Sequence, residues 1–259
     1  MNDGDAAGGR AIPLRDRTRL AAGHVMVTPN HARRRLFVVA ACLLGLASFY
    51  TGTHLFTTRP APPIHPLTGR QIAGIATNAN WLDRTAREQE EQPGRALDLI
   101  GITPGMVVAD VGAGTGYMTT LLARRVGPTG KVYASDVQPP MLRIIQDKAR
   151  AQQLSNVEIV QGAEDDAHLP EHAIDLALLV DVYHEFWRPQ EMLRSIRRSL
   201  KPNGALILVE YRKEDPSIPI ADTHRMSVAD ARAEVEAEGF TFDRLVPGLP
   251  RQHIIEFRR

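Results

Sequence analysis

Two short clusters in this 259-residue chain carry side chains able to do chemistry. The first is Asp110, Gly112, Ala113, Gly114 and Gly116, in "VADVGAGTGY" at 108–117, around the end of a short apolar run. Small residues there let a ligand lie against the backbone, and N–H groups opening a following helix meet negative charge. The second is Asp181, Tyr183, His184 and Glu185, in "DLALLVDVYHEF" at 175–186, again behind an apolar run. His184 is the natural general base of this group, because an unperturbed imidazole titrates near neutrality. Glu185 is placed to orient it or to hold a substrate. Tyr183, and Tyr211 just past a later apolar run, are further candidates.

The glycine spacing restricts the ligand. A dinucleotide fingerprint reads G-x-G-x-x-G, whereas this loop reads G-x-G-x-G behind Asp110, and no Gly-Lys-Ser/Thr follows to make a P-loop. Asp136 ends "KVYASD", 20 residues beyond Gly116, where a carboxylate accepts two hydrogen bonds from a ribose diol. That feature alone does not separate NAD from other adenosine ligands. Asp110 does more, since a carboxylate at that strand end repels a pyrophosphate and favours an ammonium group. S-adenosylmethionine carries an ammonium and a sulfonium and no phosphate.

The elements that must position these clusters alternate along the chain. Strands are expected at 106–110, 131–136, 157–162, 174–180 and 205–210, and "TFDRLVP" and "RQHIIEFRR" finish as a hairpin. Helices are expected at 81–92, 93–100, 117–126, 139–153, 190–200 and 227–238, with "KPNG" at 201–204 as a turn. Strands separated by helices predict an α/β, doubly wound, mostly parallel sheet of seven strands. Ligands of such sheets lie at the carboxyl ends of the strands, where both clusters fall.

In these motifs, and in "VYASDVQPPML", "GAEDDAHLP" and "LKPNGALILVE" at matching intervals, the chain resembles the class I S-adenosylmethionine-dependent methyltransferases from about Gln71 to Arg259. The resemblance implies a Rossmann-like methyltransferase fold with S-adenosylmethionine as cofactor. It implies that Gly112 to Gly116 cradle the methionine part, that Asp136 with neighbouring Val137 holds the ribose, and that the third loop borders the adenine. Asp165, and next to it Glu164, are the residues expected to face the adenine amino group, with Asp166 competing. Asp181 is counted on the cofactor side. Helices preceding the core, here with Trp81, Arg84 and Arg87, often cover the site in this family. An Asn/Asp-Pro-Pro-Tyr/Phe motif is missing after the fourth strand, which argues against DNA adenine and glutamine-amide methylation. A small-molecule or lipid-like acceptor is expected, and no metal. The competing readings are an NAD(P)-dependent oxidoreductase and a non-catalytic adenosyl-ligand-binding module that kept the fold.

Composition sets the wider frame. Up to Arg70 there are nine Lys and Arg against three Asp and Glu, a balance of +6; the remaining 22 and 27 give −5. The basic surplus sits outside the domain, so a nucleic-acid partner is not expected. Cys42 is the only cysteine, which excludes an intrachain disulfide and cysteine-dependent methylation within the domain. Residues 1–35 read as a disordered basic tail. Residues 36–56, behind Arg33 to Arg35, read as a signal peptide or a retained transmembrane anchor. Residues 57–70 read as a Pro-rich linker. The charge rule puts the N-terminus in the cytoplasm and the domain on the outer side of a membrane, with a soluble cytoplasmic chain as the alternative.

Overall fold

The computed structural model describes residues 63–259. The basic tail, the apolar segment 36–56 and the first part of the linker lie outside the described residues. Among the described residues no helix is long and apolar enough to cross a membrane.

Seven strands form one sheet: β1 (Val107–Val111), β2 (Lys131–Asp136), β3 (Val157–Gln161), β4 (Ile174–Val180), β5 (Leu200–Tyr211), β6 (Thr241–Val246) and β7 (Gln252–Arg258), in the order β3-β2-β1-β4-β5-β7-β6. β7 runs antiparallel to β5 and to β6, so the hairpin inserts its second strand into the sheet and leaves its first at the edge. The side-chain alternation of a strand sorts the apolar residues to two faces. Val108, Val132, Leu178, Ile207 and Ile254 pack on one face, with α3 (Pro93–Ile100) and α4 (Tyr117–Val126). Ala109, Leu179, Leu208 and Phe257 pack on the other, with α6 (Pro189–Ser199) and α7 (Val228–Ala237). α5 (Pro139–Ala151) covers β2 through Leu142 and Ile145.

Two expectations change. The single helix expected over 81–92 is two separate turns, α1 (Ala79–Leu82), capped by the Asn78 side chain, and α2 (Arg87–Glu90). Residues 201–204 belong to the start of β5 rather than to a free turn; they bulge outward where the β4 partner jumps from Leu200 to Ala205.

Packing also reaches back past Gln71. Arg70 is buried and grips Glu234 of α7 through Nε to Oε1 (2.8 Å) and Nη2 to Oε2 (2.9 Å). The Tyr183 hydroxyl donates to the same carboxylate at 2.8 Å and the Thr68 hydroxyl at 2.5 Å. Composition alone hides this clamp, because its acceptor lies 164 residues away. Removing one partner of a buried pair leaves the other uncompensated, at a cost of about 3–5 kcal/mol. Arg70→Ala is therefore expected to lower stability by about that amount, read as a fall in the denaturant midpoint. A midpoint within error of the parent would show that the clamp contributes nothing.

Candidate active site

A cavity of about 540 Å³ opens at the carboxyl edge of the sheet, over β1, β4 and their neighbours. Sites for small ligands span about 300–1,000 Å³, so a nucleoside and a small second molecule are within its range. Its walls fall into two halves, built from different strands.

The first half comes from the ends of β1, β2 and β3. The loop after β1 turns at Gly112, whose φ of +71° suits glycine. A Cβ there would also lie 2.3 Å from Val182 Cγ2, so the turn is closed to any larger residue. Asp136 closes β2 and fastens this loop: Oδ2 accepts from Gly114 N–H at 2.8 Å and Oδ1 from Gln138 N–H at 2.8 Å. Burial raises its pKa, partly offset by those donors. Asp110 is buried beneath the loop and accepts from the Thr119 hydroxyl at 2.5 Å. Burial pushes its carboxyl up to about 6.

That shift has a measurable consequence. A carboxyl whose folded pKa exceeds its unfolded value is a growing burden as pH rises between the two, here from about 3.8 to about 6. Asp110→Asn removes the burden, so relative to the parent it should gain about 3 kcal/mol by neutral pH and nothing near pH 3. Denaturant midpoints of both chains across that window check the sign; a difference independent of pH would refute it.

The second half comes from β4, β5 and the segment that follows β5. His184, in the short helical turn Tyr183–Glu185, is buried yet lines the cavity. Its Nδ1 donates to Glu210 Oε2 at 2.6 Å, which leaves Nε2 facing inward. Glu210 is itself fully buried at the end of β5 and is held by the N–H groups of Val182 (3.2 Å) and Tyr183 (2.9 Å). Burial alone would lower the His184 pKa; the Glu210 carboxylate outweighs it, and the net shift is upward. Glu185 fixes Oε2 on Ala76 N–H at 3.0 Å, and burial pushes its pKa to about 7. His224 approaches from the segment after β5, with Nδ1 3.1 Å from His184 Nε2. That segment, 213–225, leaves and rejoins the body at one point, where Met226 N–H meets the Tyr211 carbonyl (2.9 Å) and Lys213 N–H the Met226 carbonyl (3.2 Å).

Between the halves stands Asp181, at φ +51°. One oxygen accepts from Gln252 Nε2 at 2.7 Å; the other is buried with no hydrogen-bond partner in the described residues. Burial, reinforced by Glu91 and Glu210, drives its pKa well up. The strap 74–91 roofs the cavity. Asp83 ties it to the loop through the Thr115 hydroxyl (2.7 Å), and Glu91 accepts from Arg87 (2.6 Å) and Tyr211 (2.7 Å). Arg84 stacks on Trp81, 3.8 Å from the ring centre.

Of the residues singled out in the sequence, Asp110, Gly112, Ala113, Gly114, Asp136, Val137, Glu164, Asp181, His184 and Glu185 all border this cavity, as do Trp81, Arg84, Arg87 and Tyr211. Four do not. Asp166 accepts from the Ser195 hydroxyl at 2.6 Å and pairs with Arg198 at 3.2 Å, outside the cavity. Gly116 packs against α5, where a Cβ would lie 2.9 Å from Ile145. Asp165 turns outward to pair with Arg188 at 2.7 Å, so Glu164 is the acid of that loop that reaches the cavity. Tyr183 points its hydroxyl into the Arg70–Glu234 clamp, away from any ligand. The residue that orients His184 is Glu210, not Glu185, whose Oε1 is 3.9 Å from Nε2. Glu210 had a signal, a lone acid ending the apolar run "ALILVE". His224 had none, in an irregular stretch.

Residues 108–204 match the family described as a methyltransferase domain. Among proteins of assigned function, the chain is 32% identical over 118 residues to the ubiquinone/menaquinone biosynthesis C-methyltransferase UbiE of Ectopseudomonas mendocina, covering 45% of this chain and 46% of that one. The chain thus spans about half the length of the curated relatives it matches. Among solved structures, a SAM-dependent methyltransferase from Aquifex aeolicus superposes with a TM-score of 0.66 at 28% identity, over 70% of this chain and 96% of that one. The [4+2]-cyclase SpnF shares the fold at a TM-score of 0.53 and 20% identity, over 82% and 73% of the two chains. The seven-stranded Rossmann-like methyltransferase fold is therefore that of this domain.

Proposed function

We propose that the protein is an S-adenosylmethionine-dependent methyltransferase acting on a small-molecule or lipid-like acceptor. One observation carries the reading: a single cavity combines a phosphate-averse, acid-rich nucleoside half with an imidazole held in a fixed tautomer by a buried carboxylate. The cofactor fits the residues present. Asp136 offers its outer lone pairs to the ribose, Glu164 borders the adenine side, and Asp110 and Asp181 favour the cationic end. The partnerless oxygen of Asp181 is the kind of atom an ammonium group satisfies.

When bound, S-adenosylmethionine supplies a methyl group already activated on a sulfonium. The chain's own part is alignment, exclusion of water and removal of a proton. The strap 74–91 and the segment 213–225 close the two open sides. Trp81, Phe186 and Ile220 give the acceptor half an apolar lining. His184 Nε2 is the proton acceptor, and Glu210 stabilises the imidazolium that results. The similarity to a quinone-pathway C-methyltransferase supports an aromatic or lipid-like acceptor with an acidic proton. We assign the apolar stretch 36–56, behind Arg33 to Arg35, to membrane attachment, which would bring such an acceptor close.

Calorimetry of the full chain with S-adenosylmethionine, S-adenosylhomocysteine and NAD tests the reading. The first two are expected to bind and NAD is not; binding of NAD alone would overturn it. Binding of the first two with no turnover across an acceptor panel would favour a non-catalytic adenosyl-binding module on the same fold. A topology reporter fused after Phe56 checks the membrane assignment.

A further inference from the structure

Three donor atoms in the acceptor half converge on one point. His184 Nε2 and His224 Nδ1 are 3.1 Å apart, His224 Nδ1 and Glu185 Oε1 3.7 Å, and His184 Nε2 and Glu185 Oε1 3.9 Å. The circumradius of that triangle is about 2.1 Å, the length of a zinc–nitrogen or zinc–oxygen bond. We propose that His184, His224 and Glu185 form a binding site for a divalent first-row transition ion on the wall of the cavity.

The surroundings are those a metal ligand set requires. Metal-bound imidazoles usually give their second N–H to a carboxylate, which fixes the tautomer and raises ligand basicity. Glu210 does this for His184 at 2.6 Å, and is itself anchored by two backbone N–H groups. Glu185 is likewise oriented from behind, by Ala76 N–H on Oε2, which turns Oε1 toward the imidazoles. The rings of His184 and His224 meet edge to face, 83° between planes. Two ring nitrogens only 3.1 Å apart need either a proton or a cation between them. All three residues line the cavity, so an ion held by them presents its open positions to whatever occupies the acceptor half. Two imidazoles and one carboxylate favour zinc, cobalt or iron(II) over magnesium, which prefers an all-oxygen shell.

The site's existence is independent of the methyl-transfer reading. Its use rests on that reading: with an ion bound, His184 Nε2 is a ligand and no longer the proton acceptor, and the open positions would instead orient an acceptor oxygen and lower its pKa.

The test is metal uptake by the full chain without a histidine tag, dialysed against excess zinc and assayed for bound metal, with cobalt(II) absorption as a second readout. One equivalent of zinc is expected, together with a cobalt spectrum of nitrogen and oxygen ligation. His184 is buried and its alanine variant is prone to misfold, so the decisive variants are His224→Ala, on a half-exposed residue, and Glu185→Gln. Each should weaken zinc at least tenfold and alter the cobalt spectrum, and Glu210→Gln about 10–100-fold. His168→Ala, outside the cavity, should change neither. No uptake by the parent, or uptake unchanged in both decisive variants, would overturn the site. Zinc uptake without S-adenosylmethionine binding supports the site while removing the methyl-transfer reading; S-adenosylmethionine binding without zinc uptake does the reverse.

Discussion

Asp136→Ala should abolish S-adenosylmethionine binding in calorimetry while leaving the fold intact. The carboxylate does two jobs at one place. It holds the glycine loop through Gly114 N–H at 2.8 Å, and it borders the cavity where a ribose would present a diol. Hydrogen bonds to a charged group are worth about 1.5–3 kcal/mol each. Losing two of them costs at least about 3 kcal/mol, or roughly 100-fold in affinity, before the loosened loop is counted. Asp136→Asn keeps one oxygen acceptor in place and should fall between the parent and alanine. S-adenosylhomocysteine should lose as much affinity as S-adenosylmethionine, because the interaction is with the nucleoside and not the methyl group. An alanine variant that binds both as tightly as the parent would remove Asp136 from the site.

Glu210→Gln should slow turnover by about 100-fold or more with little change in S-adenosylmethionine affinity. Glu210 does not line the cavity; it acts through His184. With it, the imidazole holds its proton on Nδ1, keeps Nε2 directed inward, and has a proton affinity raised against the pull of burial. A glutamine accepts at one oxygen only and cannot offset a positive imidazole. Burial then prevails and the His184 pKa drops. Because the base must be unprotonated to act, the acid limb of the rate profile should move to lower pH as the plateau falls. Turnover and dissociation constant, measured across pH on an acceptor found by screening, separate this from a structural effect: misfolding would lower turnover and weaken binding together. Parent-like turnover would dismiss His184 as the base.

The strands and the glycine loop were legible because their causes are local. β2 and β4 have the limits their apolar runs suggest, and α4 runs over Tyr117–Val126 as its spacing predicts. What the sequence concealed was set by distant partners. The stretch 81–92 reads as one charged helix, but Asp83 is drawn to Thr115 and Lys148 while Arg84 and Arg87 are drawn to Glu91, and the helix opens between them. Arg70 looks like the end of a linker until Glu234 arrives from α7. Asp165 and Glu164 are neighbours of like charge, and only the position of Arg188 decides which one turns outward. His184 was visible as a candidate, but its partners come from the end of β5 and from an irregular segment beyond it.

The segment 213–225 departs from and returns to a single pair of neighbours, Tyr211 and Met226. A loop whose ends already touch can be lengthened, shortened or replaced at little cost to the body that carries it. Its Pro219, Ile220, Ala221 and His224 nevertheless form part of the acceptor wall, while the nucleoside half is built wholly from other strands. Exchanging this one segment would change what the cavity admits while leaving in place every residue that forms the nucleoside half.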